Sequence, residues 1–331
     1  MTATRDNCFT FLRYLFALCI FCGHLCNTLG EDLFICTGGI FVCGFFAISG
    51  FLNFNSYQQT PNVRMFAKKR FKRIYPAYSL TIIICALVGG CISTLSLSDY
   101  VTSPETWKYL FYNLLFLNYL QPNLPGVFDS NVLTAINGAL WTMKVEVLFY
   151  ISVPLVYKMI QKYGKNKVLW SIVICSLLCN YSMRLAEYLT GNSIFYTLIH
   201  QIPCELVYFY TPALMLHNWE WVKKHGKTLM WITLLLLIPY FFDERFCWLH
   251  PLIIPILVIT AGYEAKWLLP TSKWKDFSYE FYLFHFPILQ TIIFMGWAST
   301  QWSVALIALP LIFALAIPLH FVSKKISDMI R

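Results

Sequence analysis

Charge is what this 331-residue sequence has least of. Only 12% of its residues are Asp, Glu, Lys or Arg, against about a quarter in soluble domains. With 58% hydrophobic residues and a mean hydropathy of +0.59, an ordinary soluble domain is excluded. Acidic residues are the scarcer sign, 16 against 25 basic, for a net charge of +9. In so apolar a chain that excess reads as charge on loops flanking membrane spans, not as nucleic-acid binding. There is no internal repeat, no low-complexity tract and no dinucleotide-binding glycine fingerprint. The first apolar segment lacks a small-residue cleavage site and is followed at once by another, so no cleaved signal peptide is expected. Twelve cysteines are present, but a metal pattern is not. Cys19-x-x-Cys22 has no second pair and no His at zinc-finger spacing. Cys19, Cys22, Cys26, Cys43, Cys85, Cys175 and Cys179 lie in apolar runs and read as small buried hydrophobes, so no metal is expected.

What is present is a series of apolar runs of spanning length, at about 9–27, 33–53, 76–95, 140–160, 168–187, 194–217, 228–242, 248–263, 278–296 and 302–322. The expected fold is an all-α, polytopic membrane helical bundle of ten transmembrane helices forming a single domain over residues 1–331. With the N-terminus in the cytoplasm, most of the 25 basic residues fall in inner segments. These are Arg5, the cluster from Arg64 to Arg73, Lys158 to Lys167, Lys223 to Lys227, Lys266 to Lys275, and Lys324, Lys325 and Arg331. The outer segments keep Lys108, Arg184 and Arg245. This positive-inside pattern puts both termini in the cytoplasm. It requires that 107–120 not cross, so that stretch is predicted to be an outer interfacial or re-entrant helix, its Tyr and Trp residues suiting the headgroup level.

Polar residues interrupt the apolar runs at a few positions. Arg13 and His24 fall in the first run, eleven residues apart. At 100° per residue that is about three turns, leaving both on nearly one face and roughly 16 Å apart along the axis. An ionisable group in a span costs roughly 2.5–3.5 kcal/mol on insertion scales, so it faces a polar cavity or a partner. Snorkelling or a structural ion pair is the plainer alternative. Ser49-Gly50 ends the second run as a kink, a close helix contact or a nucleophile. Arg70 and Arg73, at i and i+3 before Pro76, present two guanidinium forks on one side of a helix, a geometry suited to phosphate as well as to topogenic charge. Glu146 lies about a turn and a half into the fourth run, at a depth comparable to His24, and is expected to orient the imidazole. Lys144 faces elsewhere. His285, followed by Pro287, reads first as a structural histidine, and Glu205 and His200 add further polarity without a recognisable spacing. Together they fit a phosphorylated cytoplasmic donor threading its reactive end toward an outward acceptor.

These residues carry a resemblance. The chain is similar, along nearly its whole length, to the acyltransferase 3 family of integral-membrane acyltransferases. The matches are Arg13-x10-His24, the FFAISGFL stretch around Ser49, and Arg70-x-x-Arg73-I-x-Pro76. Leu140-Trp141-Thr142-x-x-x-Glu146-x-x-Phe149-Tyr150 and Ser278-Tyr279-x-x-Tyr282-Leu283-x-His285-x-Pro287 follow in order. The resemblance implies transfer of an acetyl group from cytoplasmic acetyl-CoA, as acyl donor, to a hydroxyl of a cell-envelope polysaccharide or its lipid-linked precursor, in a bacterial cytoplasmic membrane. It implies His24 as the central catalytic residue, supported by Glu146 and either deprotonating the acceptor hydroxyl or carrying the acetyl group briefly, with Arg13 and the Arg70/Arg73 pair needed for donor binding or reaction. Arg70, Arg73, Ser49 and His285 become candidates for binding the donor. The partners so implied are membrane lipid and a glycan or lipid-linked saccharide, with no nucleic acid. Some family members carry a hydrolase-like domain after the last span; here acceptor handling is expected within the membrane protein itself. Lys144 departs from the small or uncharged residue expected there. The alternative from the polar residues alone is a transporter or flippase whose buried charges line a substrate path. A non-catalytic scaffold gives no reason to hold Arg13, His24 and Glu146 in lipid.

Overall fold

The computed structural model describes residues 6–30 and 38–330. Arg5, Arg331 and the expected start of the second span at 33–37 lie outside the described residues. Helices are α1 (Phe9–Leu29), α2 (Gly38–Gln59), α3 (Val63–Ile92), α4 (Leu97–Thr102), α5 (Pro104–Leu114), α6 (Trp141–Tyr163) and α7 (Lys165–Thr190). They continue as α8 (Ser193–Ile199), α9 (Ile202–His217), α10 (Trp219–Leu237), α11 (His250–Glu264), α12 (Ser278–Phe294) and α13 (Gln301–Met329). No strand occurs among the described residues.

Among the described residues, seven helical segments are long and apolar enough to cross a membrane: α1, α2, α3, Gly138–Tyr163 containing α6, α7, Arg245–Glu264 containing α11, and α13. The other three expected spans are helical but differ in form. The run 194–217 breaks at His200 and Gln201 into α8 and α9. Pro203 opens α9, where a missing N–H costs nothing because first-turn amides have no partner within the helix. The run 228–242 belongs to α10, whose first half carries Glu220, Lys223, Lys224 and Lys227. α12 has 17 residues, about 25 Å of helix at 1.5 Å each. The stretch 107–120 holds most of α5 and a short 3₁₀ turn. At 11 residues, α5 is too short to cross.

The chain divides into two compact units. The first comprises Met1–Phe16, Gly39–Phe66 and Val145–Lys275. Its centre is aromatic: Phe149 stacks on Phe209 at 4.6 Å and meets Phe46 edge-on at 5.0 Å. Gly50 permits the tightest approach, since a Cβ there would lie 2.0 Å from the Phe209 carbonyl oxygen. Ser49-Gly50 is thus a close contact between the backbones of α2 and α9.

The second unit comprises Ala17–Gly38, Ala67–Lys144 and Asp276–Arg331. α12 is its most buried element, and the irregular segment between α5 and α6 is fastened to it. Gln290 donates to the carbonyls of Leu133 and Ala135 and receives Asn131, while Asn137 donates to the Leu283 carbonyl. Two prolines explain one of these fastenings and a further bond between α13 and α3. Pro287 has no N–H for Leu283 and Pro76 none for Lys72, so those carbonyls lack their helical partners. The Asn137 amide fills the first and the Ser327 hydroxyl the second.

Candidate active site

In the second unit, α1 brings His24 against α12. The His24 and His285 rings lie 5.2 Å apart between centroids and are inclined by 33°. Phe286 meets the His24 ring edge-on at 5.1 Å. His24 is partly buried and His285 is fully buried. The carbonyl of His24 accepts from Thr28 Oγ1 at 2.8 Å. His285 Nδ1 lies 2.6 Å from the Tyr282 carbonyl. Tyr282 is itself fixed by its phenol, which donates to the Ala139 carbonyl at 2.8 Å and meets Thr142 Oγ1 at the same distance.

The first unit holds another polar cluster, on α2 and α6. Ser49 Oγ donates to Glu146 Oε1 at 2.6 Å, and the Tyr150 hydroxyl donates to the same oxygen. Asn53 Nδ2 donates to Ser49 Oγ at 2.8 Å and to the Ser49 carbonyl at 2.7 Å. A carboxylate accepting two hydroxyls is held in one orientation by charge-assisted bonds. The Ser49 hydrogen is committed to that carboxylate, so the arrangement makes Ser49 an orienter of Glu146. Arg13, also in this unit, is partly buried just over one turn into α1.

Arg70 and Arg73 sit one turn apart on α3, half-buried and exposed respectively. Arg73 Nη2 lies 3.7 Å from Asp276 Oδ2, with side-chain exposures of 54% and 22%. Asp276 is oriented by Ser278, whose amide and hydroxyl both donate to Oδ1. Arg64, Lys68 and Lys69 are exposed on the same helix. A pair this wet and long contributes little to stability, and a guanidinium fork is a geometry suited to phosphate.

Other ionisable groups find ordinary partners. Lys144 Nζ sits 4.8 Å from the centre of the Tyr119 ring, which accounts for a cation at that position of α6. His200 Nδ1 pairs with the buried Glu205 at 3.2 Å. No group of three or more His, Cys, Asp or Glu that could hold a metal occurs among the described residues.

The structure thus brings together Ser49 with Glu146, His24 with His285, and Arg70 with Arg73. Sequence reasoning gave no role to Asn53, Tyr150, Tyr282 or Asp276. The first two were discoverable, since Asn53 follows Ser49, and Tyr150 follows Glu146, by one helical i, i+4 step.

Apolar helices, all but α12 long enough to cross a membrane, thus carry an imidazole pair, an oriented carboxylate and a guanidinium pair. The chain belongs to the acyltransferase 3 family: that family's sequence model, an acyltransferase domain, matches residues 6–321. Among curated relatives, nodulation protein 10 of Rhizobium leguminosarum bv. viciae is 26% identical over 90% of this chain and 86% of its own. An O-acetyl transferase of Shigella phage Sf6 is 23% identical over 87% of this chain and 86% of its own. The acyltransferase MdmB of Streptomyces mycarofaciens is 26% identical over 49% of this chain and 41% of its own. No solved structure gives a significant match.

Proposed function

We propose that this protein is a membrane O-acetyltransferase that takes the acetyl group of cytoplasmic acetyl-CoA and delivers it to a hydroxyl of a cell-envelope polysaccharide or its lipid-linked precursor. The observation that carries the reading is His24, a partly buried imidazole on an apolar helix, in a chain that matches an acyltransferase family from residue 6 to 321. The name of the phage relative supplies the acetyl group.

In this reading ten spans cross a bacterial cytoplasmic membrane, with both termini inside. Arg70 and Arg73 hold the donor's phosphates, and Arg13, on the same helix as His24, serves donor binding or reaction. His24 takes the proton of the acceptor hydroxyl as its oxygen bonds to the acyl carbon. The carbon–sulfur bond then breaks, and His24 returns the proton to the departing thiolate. Glu146, fixed by Ser49 and Tyr150, is held as an oriented carboxylate for the reaction.

Labelled acetyl-CoA given to membranes expressing the wild type or His24→Ala tests this. Label in a glycan or lipid-linked fraction that disappears in the variant is expected. Equal labelling in both overturns the role of His24.

A further inference from the structure

A second imidazole, so far only a candidate for binding the donor, has one-sided hydrogen bonding. His285 is fully buried on α12. Its Nδ1 lies 2.6 Å from the carbonyl of Tyr282, and a carbonyl only accepts, so Nδ1 carries the proton. The neutral ring then has a bare lone pair on Nε2, and that buried atom has no hydrogen-bond partner. A buried acceptor left unfilled is unfavourable and calls for a donor. Two polar rings lie beside it: Tyr282, whose phenol is already engaged with Ala139 and Thr142, and His24, 5.2 Å away between centroids. An N–H···N bond of ordinary length between two imidazoles separates their centroids by roughly 5 Å, so the spacing of these two rings matches such a bond.

We infer that His285 is a positioning residue: its Nε2 accepts the ring N–H of His24, holding His24 in one tautomer with its other nitrogen bare toward the acceptor hydroxyl. The inference deepens the acetyl-transfer reading and rests on it for the task given to His24. Tyr282 is the next link, because its carbonyl fixes the His285 tautomer while its phenol is anchored on Ala139 and Thr142. A base oriented by a third group is the general arrangement of activated nucleophiles and bases. Here the orienter is a neutral imidazole in place of a carboxylate, which adds no buried charge beside His24.

Two substitutions separate this role from packing. His285→Phe keeps the ring and removes the acceptor. His285→Gln places an amide oxygen near the position of Nε2. With labelled acetyl-CoA at saturation, His285→Phe is expected to slow transfer by roughly 10²-fold, the lower range for proton-transfer catalysis, with the donor KM changed less than about twofold. His285→Gln is expected to recover most of that loss.

The second readout does not depend on transfer. Nitrogen-15 spectra of histidine-labelled protein in membranes, assigned with His24→Ala and His285→Gln, report which ring nitrogens carry protons. The wild type is expected to show His285 protonated at Nδ1 and His24 in one tautomer. His285→Phe is expected to show a His24 mixture, and His285→Gln a single form. A wild-type His285 protonated at Nε2 overturns the inference even if the Phe variant fails to accumulate. So does a His24 tautomer that is the same in all three proteins, or a Gln variant as inactive as the Phe variant. If the wild type transfers no label but the tautomer of His24 still follows residue 285, the pairing stands and the acetyl-transfer reading falls.

Discussion

The side-chain amide of Asn137 donates to the carbonyl of Leu283 at 2.9 Å, filling the bond that Pro287 cannot supply to that carbonyl. A residue on the segment between α5 and α6 thereby completes the hydrogen bonding of α12 one turn before a proline, beside His285. Asn137→Ala leaves a buried carbonyl unpaired, at a cost of about 1–3 kcal/mol. Thermal unfolding in detergent should show a clear fall in Tm. The same substitution in a Pro287→Ala background should cost markedly less, because an alanine in place of the proline restores the backbone donor. Equal losses in both backgrounds would show that Asn137 acts elsewhere.

Gly50 and Gly39 make a matched pair on α2. A Cβ on Gly50 meets the backbone of Phe209 at 2.0 Å, whereas a Cβ on Gly39 meets nothing within 4 Å. Gly50→Ala must separate two helices and is expected to abolish accumulation or cost at least about 2 kcal/mol, in the upper range for overpacked sites. Gly39→Ala is expected to be neutral or to stabilise by up to about 1 kcal/mol through helix propensity. Expression level and Tm of the two variants check the contrast.

Ser49 distinguishes orientation from nucleophilic catalysis. Its hydroxyl hydrogen is given to Glu146, so Ser49→Ala removes one bond to a charged group, worth about 1.5–3 kcal/mol. Transfer is expected to fall by roughly 10- to 150-fold and not vanish. Tyr150→Phe removes the other hydroxyl on that oxygen and should act comparably, the double variant departing from additivity. Loss of roughly 10⁶-fold in Ser49→Ala alone, as when a nucleophile is removed, would contradict this assignment.

Arg73 is half of an exposed pair with Asp276, and such pairs contribute about 0–1 kcal/mol to stability. Arg73→Ala is therefore expected to leave Tm nearly unchanged, and Arg70→Ala and Arg73→Ala each to raise the KM for acetyl-CoA by roughly tenfold, for lost charge-assisted phosphate bonds. Asp276→Asn should lower that KM by releasing Arg73. Rate measurements across donor concentrations decide it. A fall in kcat at constant KM would place the arginines away from the donor.

The helices were legible in the sequence because lipid demands long apolar runs, and each of the ten runs is helical over most of its described residues. Their interruptions were less legible. The break at His200 and Gln201 falls within an apolar stretch, where hydropathy registers composition and not the local effect of Pro203. The polar residues Arg13, His24, Ser49, Arg70, Arg73, Glu146 and His285 stood out because charge is costly in such runs. What they touch did not. Tyr150 and Asn53 lie one helical step from their partners and were within reach of spacing arguments. His24 and His285 are separated by most of the chain, and no local pattern announces that one packs against the other. Asn137 and Leu283 are equally remote, joined by a bond that only the proline's missing N–H makes necessary.

The central claim is that His24 performs acyl transfer, and the most direct measurement follows acetyl label from acetyl-CoA into membrane glycan and lipid-linked fractions, with wild type and His24→Ala expressed to equal levels. The account predicts label in such a fraction with the wild type and at least a 10²-fold smaller amount, roughly the contribution of a positioned base, with the variant. Labelling of equal rate and extent in the two would contradict it.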